Sequence, residues 1–177
     1  IYSPRIAPGG EKVVFASAHE GQDNIYIINQ DGSNLKRLTG PARAKRDGYA
    51  SWSPDGAKLV FFREYSYCND IYVMDNTGND QTNLTNIRSL GTLSSNSFSE
   101  FPWSPDSKRV VFTSNRNGFL NIYIMDRNGK NIRQITNNLK TQTYGAVWAP
   151  NRNVIAYVST EELNGETDIY TLNVDSP

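Results

Sequence analysis

The sequence predicts an all-β fold built from four repeats, each a four-stranded antiparallel unit. Three observations predict it. An apolar or aromatic residue, a small residue and a proline recur at Pro8, Pro54, Pro105 and Pro150, with a period of 45 to 51 residues. Each proline is followed, 17, 17, 17 and 19 residues on, by an Ile-Tyr pair: Ile25-Tyr26, Ile71-Tyr72, Ile122-Tyr123 and Ile169-Tyr170. Apolar content is a modest 37%, and Asn, Ser, Thr and Tyr are plentiful, as suits many short strands joined by tight turns. A fixed period of this length marks a repeat architecture, in which each unit buries its faces against its neighbours.

The third repeat gives the elements most cleanly. In Phe101-Pro102-Trp103-Ser104-Pro105-Asp106-Ser107-Lys108 the proline lacks a donor and the aspartate favours a turn, so a first strand ends near Trp103 and a second begins near Lys108. The second strand continues to Ser114. A polar loop, Asn115 to Leu120, leads to a third strand over Asn121–Asp126, rich in β-branched and aromatic residues. Asn128-Gly129 then supplies the positive φ angles of a two-residue hairpin turn, and Asn131–Thr136 forms a fourth strand. The first and second repeats follow suit, with Asp31-Gly32 and Thr77-Gly78 in the turn. Leu38-Thr39 and Leu84-Thr85 lie where the third repeat has Ile135-Thr136, thirteen residues after each Ile-Tyr pair begins.

Such four-stranded units at this period compose a β-propeller, read here as a single domain over residues 1–177 with repeats at approximately 1–40, 41–86, 87–137 and 138–177. The fourth repeat ends at Val174-Asp175-Ser176-Pro177, after its third strand, so its outermost strand is missing. Three readings stand: four units that close as they are, part of a larger propeller, or an open blade that accepts a strand from another chain. The chain also starts inside a repeat, with neither an initiator methionine nor a leader, as a mature or trimmed product would.

Trp52-Ser53-Pro54-Asp55-Gly56 with Asp70-Ile71-Tyr72-Val73-Met74-Asp75, and Ser114-Asn115-Arg116-Asn117-Gly118 in the next unit, resemble the TolB-type β-propeller repeat, with its WD40-like Trp-Ser-Pro-Asp-Gly pattern. The first repeat departs at Ile6-Ala7-Pro8-Gly9-Gly10 and the fourth at Trp148-Ala149-Pro150-Asn151-Arg152. The resemblance implies a protein partner docking around the axial opening and a periplasmic or extracellular setting. Similar propellers also gate serine-peptidase domains, which implies a second reading as the propeller of a larger enzyme. The open fourth blade suggests a third, a structural subunit that self-assembles head to tail by strand donation.

Composition narrows the chemistry. Formal charge is zero, so nothing draws the chain as a whole to nucleic acid, and no run of eighteen apolar residues could span a bilayer. The short basic stretch Arg43-Ala44-Lys45-Arg46 reads as a solvated loop. The single cysteine, Cys68, cannot pair within the chain and has no basic neighbour to activate it. His19 is the only histidine, so it completes neither a zinc site nor, without a Gly-x-Ser-x-Gly motif, a serine triad. The Asp/Asn/Gly runs at Asp75–Asp80 and Asp126–Asn131 look like the start of a calcium loop but lack the downstream glutamate and read as turns. Asn83-Leu84-Thr85 fits a glycosylation acceptor, and we read it as chance. The expected protein is therefore a non-catalytic binding module with no cofactor and no metal.

The repeating Trp52, Trp103, Trp148 and the four tyrosines are expected in the core between blades. Binding is expected where the repeats diverge, in the loops between second and third strands and between one repeat and the next, the serine-rich stretch Arg88 to Ser99 being the largest departure. The candidate binding residues are His19, Arg63, Tyr65, Arg116, Phe119 and Glu162. His19, Tyr65 and Arg116 align with one another, at a position that changes from blade to blade as a partner-reading position would.

Overall fold

A computed structural model of the chain describes residues 1–40, 44–66, 69–86, 103–137, 142–160 and 166–175. Among these residues fourteen strands form four antiparallel sheets. β1 (Tyr2–Ile6), β2 (Lys12–Ser17), β3 (Asn24–Asn29) and β4 (Lys36–Arg37) make the first. β5 (Arg46–Trp52), β6 (Lys58–Glu64), β7 (Asn69–Asp75) and β8 (Thr82–Asn83) make the second. In the third, β9 (Arg109–Ser114), β10 (Asn121–Asp126) and β11 (Arg133–Gln134) are joined by an isolated bridge from Trp103 to Val110. The fourth is β12 (Thr143–Trp148), β13 (Val154–Thr160) and β14 (Thr167–Asn173). The chain divides into two compact units, Ile1–Asn86 and Ile87–Pro177. The stretches Arg88 to Ser99 and 161–165, with Glu162, lie outside the described residues, as does Cys68.

The repeated motifs are hydrogen-bonding devices. Ser53 Oγ donates to Asp55 at 2.5 Å and accepts the Lys58 N–H at 2.9 Å; Ser104 does the same with Asp106 (2.6 Å) and the Arg109 N–H (2.8 Å). The serine side chain thus fastens both ends of the turn that the proline begins. The threonine after each Leu or Ile has a parallel role. Thr39, Thr85 and Thr136 Oγ1 accept the N–H of Ile25, Ile71 and Ile122 at 3.0, 3.0 and 2.9 Å. Each holds its short fourth strand to the third by a bond beyond the backbone ladder, which explains why strands of two residues suffice.

One expectation fails at the third-to-fourth turn. Tyr26 pairs with Arg37 and Ile27 with Lys36, so the connection is longer than two residues. It closes with Asn29 N–H to Ser33 O, Asp75 N–H to Asn79 O and Asp126 N–H to Lys130 O at 2.9–3.0 Å. Positive φ angles fall on Gly32, Gly78 and Gly129, and again two residues later on Asn34, Asp80 and Asn131. At Gly78 a side chain is barred twice, by φ of +92° and by the Leu38 backbone oxygen, 3.0 Å from where a Cβ would stand.

In the first unit Val14, Ile25, Ile27 and Leu38 meet Ala50, Trp52, Leu59, Phe61 and Met74. Trp52 is bound within this core, its indole N–H donating to the Arg5 carbonyl at 3.2 Å. In the second unit Val111, Ile122 and Ile124 meet Ala146, Trp148, Ile155 and Val174. Arg109 lies over the Trp148 ring at 5.1 Å and pairs with Asp175 at 3.1 Å. Trp52, Trp103 and Trp148 are buried, as are Tyr26 and Tyr123, while Tyr72 is partly buried. Tyr170 differs: it is exposed on β14, beside an Ile169 that is 79% exposed, because no described strand pairs with the far edge of β14.

Candidate functional site

Within each sheet the second and third strands build the same arrangement. An aromatic on the second strand stacks on the tyrosine of the third: Phe15 on Tyr26 at 5.8 Å, Phe61 on Tyr72 at 5.5 Å, Phe112 on Tyr123 at 5.6 Å and Tyr157 on Tyr170 at 5.8 Å. Strand register enforces this, since each of these pairs is directly opposed across its ladder. In the first three sheets the loop residue seven positions before the tyrosine then returns to that tyrosine. His19 sits 5.0 Å from the Tyr26 ring, the Tyr65 hydroxyl meets the Tyr72 hydroxyl at 2.8 Å, and the Arg116 guanidinium lies 4.7 Å over Tyr123. Three chemically different side chains thus share one repeat position beside a constant tyrosine.

The environments differ. His19 is exposed, beside Glu20 at 3.6 Å, and Glu20 is itself paired with Arg37. It borders a recess of about 430 Å³ lined also by Phe15, Ser17, Ala18, Tyr26 and Leu35. Tyr65 is partly buried, and burial, reinforced by the Tyr72 hydroxyl, pushes its phenol up to about 12. Phe119 is 42% exposed at the tip of the β9–β10 loop.

Arg63 differs from the expectation of an outward loop residue. It is the penultimate residue of β6, is 7% exposed, and pairs with Asp47 of β5 through two bonds of 2.7 Å. Its guanidinium also lies over Phe61 (5.2 Å) and Tyr72 (4.5 Å) and reaches Gln81 at 3.2 Å. Burial opposes its charge, but the Asp47 carboxylate outweighs that and raises its pKa above the usual arginine value. Register explains the difference: Arg63 opposes Asp70 where the other sheets oppose Ser17 to Asn24, Ser114 to Asn121 and Ser159 to Asp168. The loop expected from Gly40 to Asp47 likewise gives way to strand at Arg46. Sequence reasoning missed Asp47, whose signal was its register opposite Arg63, and Phe15 and Leu35, which carry no motif.

Arg116 Nε donates to Ser114 Oγ at 3.2 Å, and the guanidinium lies 5.2 Å over Phe112 as well as over Tyr123. Its Nη2 is enclosed and donates to nothing among the described residues, and burial lowers its pKa. Beside it, Gln134 Oε1 accepts from Tyr123 Oη (2.9 Å) and Asn117 Nδ2 (2.8 Å). Among the described residues, no cluster of three or more His, Cys, Asp or Glu could hold a metal ion, and no helix is long and apolar enough to cross a membrane.

Comparison with known proteins places the chain in a family. Residues 91–177 are similar to the dipeptidyl peptidase IV N-terminal region. An uncharacterized protein of Agrobacterium fabrum is 30% identical over 125 residues, covering 62% of this chain and 38% of that protein. A solved structure from Agrobacterium tumefaciens assigned as TolB superposes with a TM-score of 0.75 at 21% identity, over 96% of this chain and 60% of the other. TolB from Acinetobacter baumannii gives 0.72 at 22% identity, over 97% and 44%. These structures share the β-propeller fold with the chain, which spans less than two thirds of the length of each of these relatives. Residues 1–101 match the model of the TolB beta propeller domain, and the chain belongs to that family.

Proposed function

We propose that this chain is a non-catalytic propeller module that binds a protein partner through its second-to-third-strand loops, in a periplasmic, envelope or secreted protein. One observation carries the reading: His19, Tyr65 and Arg116 stand at one repeat position and each meets the repeated tyrosine, His19 and Arg116 at its ring and Tyr65 at its hydroxyl. A constant aromatic base with a changing tip is an arrangement for reading a surface, since the base fixes each tip at low entropic cost while the tips set chemistry. The exposed Phe119 adds an apolar anchor to this set. Glu162 belongs to the proposal on sequence grounds alone.

The test is capture of partners by the immobilised chain and by a variant carrying His19→Ala, Tyr65→Ala and Phe119→Ala together, with thermal melting as the folding control. A partner held by the parent and lost by a variant that melts normally supports the reading; equal capture by both overturns it. A second reading rests on the similarity of residues 91–177 to the dipeptidyl peptidase IV N-terminal region: a propeller that serves a hydrolase on the same polypeptide. Labelling of the full-length polypeptide by a fluorophosphonate serine-hydrolase probe would favour it.

A further inference from the structure

We propose that Arg116 is a carboxylate-binding subsite that takes an acidic side chain of the protein partner. The first unit contains the completed version of this site. There a guanidinium lies over an opposed Phe-Tyr pair, 5.2 and 4.5 Å from the two rings, and Asp47 grips it with two bonds of 2.7 Å. In the second unit a guanidinium lies over the corresponding pair, Phe112 and Tyr123, at 5.2 and 4.7 Å. It arrives from the loop rather than the strand, two positions further along, but occupies the same place over the rings.

The carboxylate is what differs. Arg116 bonds to Ser114 alone among the described residues, and its Nη2 is enclosed without an acceptor. At the spacing from the tryptophan that gives Asp47 before Trp52, the sequence has Phe98 before Trp103, an apolar residue in place of an acid. An arginine cannot shed its proton to escape burial, so a guanidinium in this position gains from any anion that reaches it. The side chain is only part-buried, which leaves an edge for a ligand to approach. Carboxylate suits the planar, forked donor set, and the aromatic faces below strengthen the pairing by keeping water off one side. The exposed Phe119 lies three residues on in the same loop, so an acidic residue near an apolar one is the partner segment that fits.

This inference rests on the proposed binding role, but its test needs no partner. The parent chain, labelled with nitrogen-15, is titrated with a tetraglutamate peptide blocked at both ends, and the arginine Nε–H resonances are followed. The expected result is a saturable shift of the Arg116 resonance with the Arg63 resonance unmoved, no shift with blocked tetraglutamine, and about a tenfold loss of peptide affinity in Arg116→Gln. A still Arg116 resonance, an equal response to tetraglutamine, or an equal response to inorganic phosphate would overturn the carboxylate assignment. Failure of partner capture with a positive titration would count against the binding role and not against this site.

Discussion

Removing Asp47 should destabilise the first unit far more than its small size suggests. Asp47 and Arg63 are 2% and 8% exposed in their side chains and share two charge-assisted bonds of 2.7 Å. Asp47→Ala leaves a buried guanidinium with Gln81 as its one hydrogen-bonded side chain among the described residues, together with the two ring faces. Breaking a buried pair in this way costs about 3–5 kcal/mol, or two to three and a half orders of magnitude in the unfolding equilibrium. Replacing both members, as Asp47→Leu with Arg63→Met, removes the two desolvated charges together and should be near neutral, within about 2 kcal/mol either way. Urea unfolding followed by tryptophan fluorescence measures both, and the double-mutant cycle isolates the coupling. A cost below about 1 kcal/mol for Asp47→Ala would mean that the pair behaves as a solvent-screened surface bridge, and the contrast drawn with Arg116 would lose its basis.

Trp103, 4% exposed, should cost about 3–5 kcal/mol when cut to alanine; a near-zero effect in the same assay would revive a role for that ring as a ligand platform. Thr136→Val deletes the hydroxyl that accepts the Ile122 N–H and donates to Asn121, and should cost about 1–3 kcal/mol, visible also as faster amide exchange at Ile122. Asp106 is held below the ordinary carboxylate value: burial pushes it up, but the Ser104 hydroxyl and the Lys108 N–H outweigh this. A depressed folded value contributes stability that is present above the unfolded pKa and lost as pH falls through the folded one, so Asp106→Asn should flatten the melting-temperature profile below about pH 4. Tyr65 has the opposite sense: raised to about 12, it supports the fold below the ordinary phenol value and ceases to as pH climbs towards 12, which Tyr65→Phe should remove from an alkaline unfolding curve.

The frame was legible because it is periodic. Proline, serine and aspartate at the first turn, Ile-Tyr in the third strand and Leu-Thr or Ile-Thr in the fourth each have one structural task, repeated at one spacing, and the hydrogen bonds of Ser53, Ser104, Thr39, Thr85 and Thr136 are those tasks carried out. The bulges were not legible. β1, β5 and β12 each slip register, and Ser3, Tyr49 and Gly145, three unlike residues, take positive φ at the same distance before Ile6, Trp52 and Trp148. No residue type marks the position, because strand pairing on both sides imposes it. The fate of Arg63 was hidden for a related reason: a strand end and a loop start look alike in sequence, and only pairing with Asp70 places it inside.

That ambiguity bears on how a binding surface can arise in a repeat fold. Two arginines, two residues apart in repeat numbering, reach the same place over a Phe-Tyr pair, one from the strand and one from the loop. From the strand, the guanidinium is enclosed and must be neutralised from within, as Asp47 does. From the loop it stays part-exposed, and the opposing acid can be left to another molecule. A shift of two positions along a hairpin is thus enough to turn an internal brace into an outward contact, while the stacked rings beneath it stay as they are. Moving the charge in the second sheet, by Arg63→Ser with Tyr65→Arg and Asp47→Ser, should therefore confer a second tetraglutamate response. If that variant folds with its guanidinium set over Tyr72 and the peptide still moves only Arg116, position over the rings is not what makes the contact.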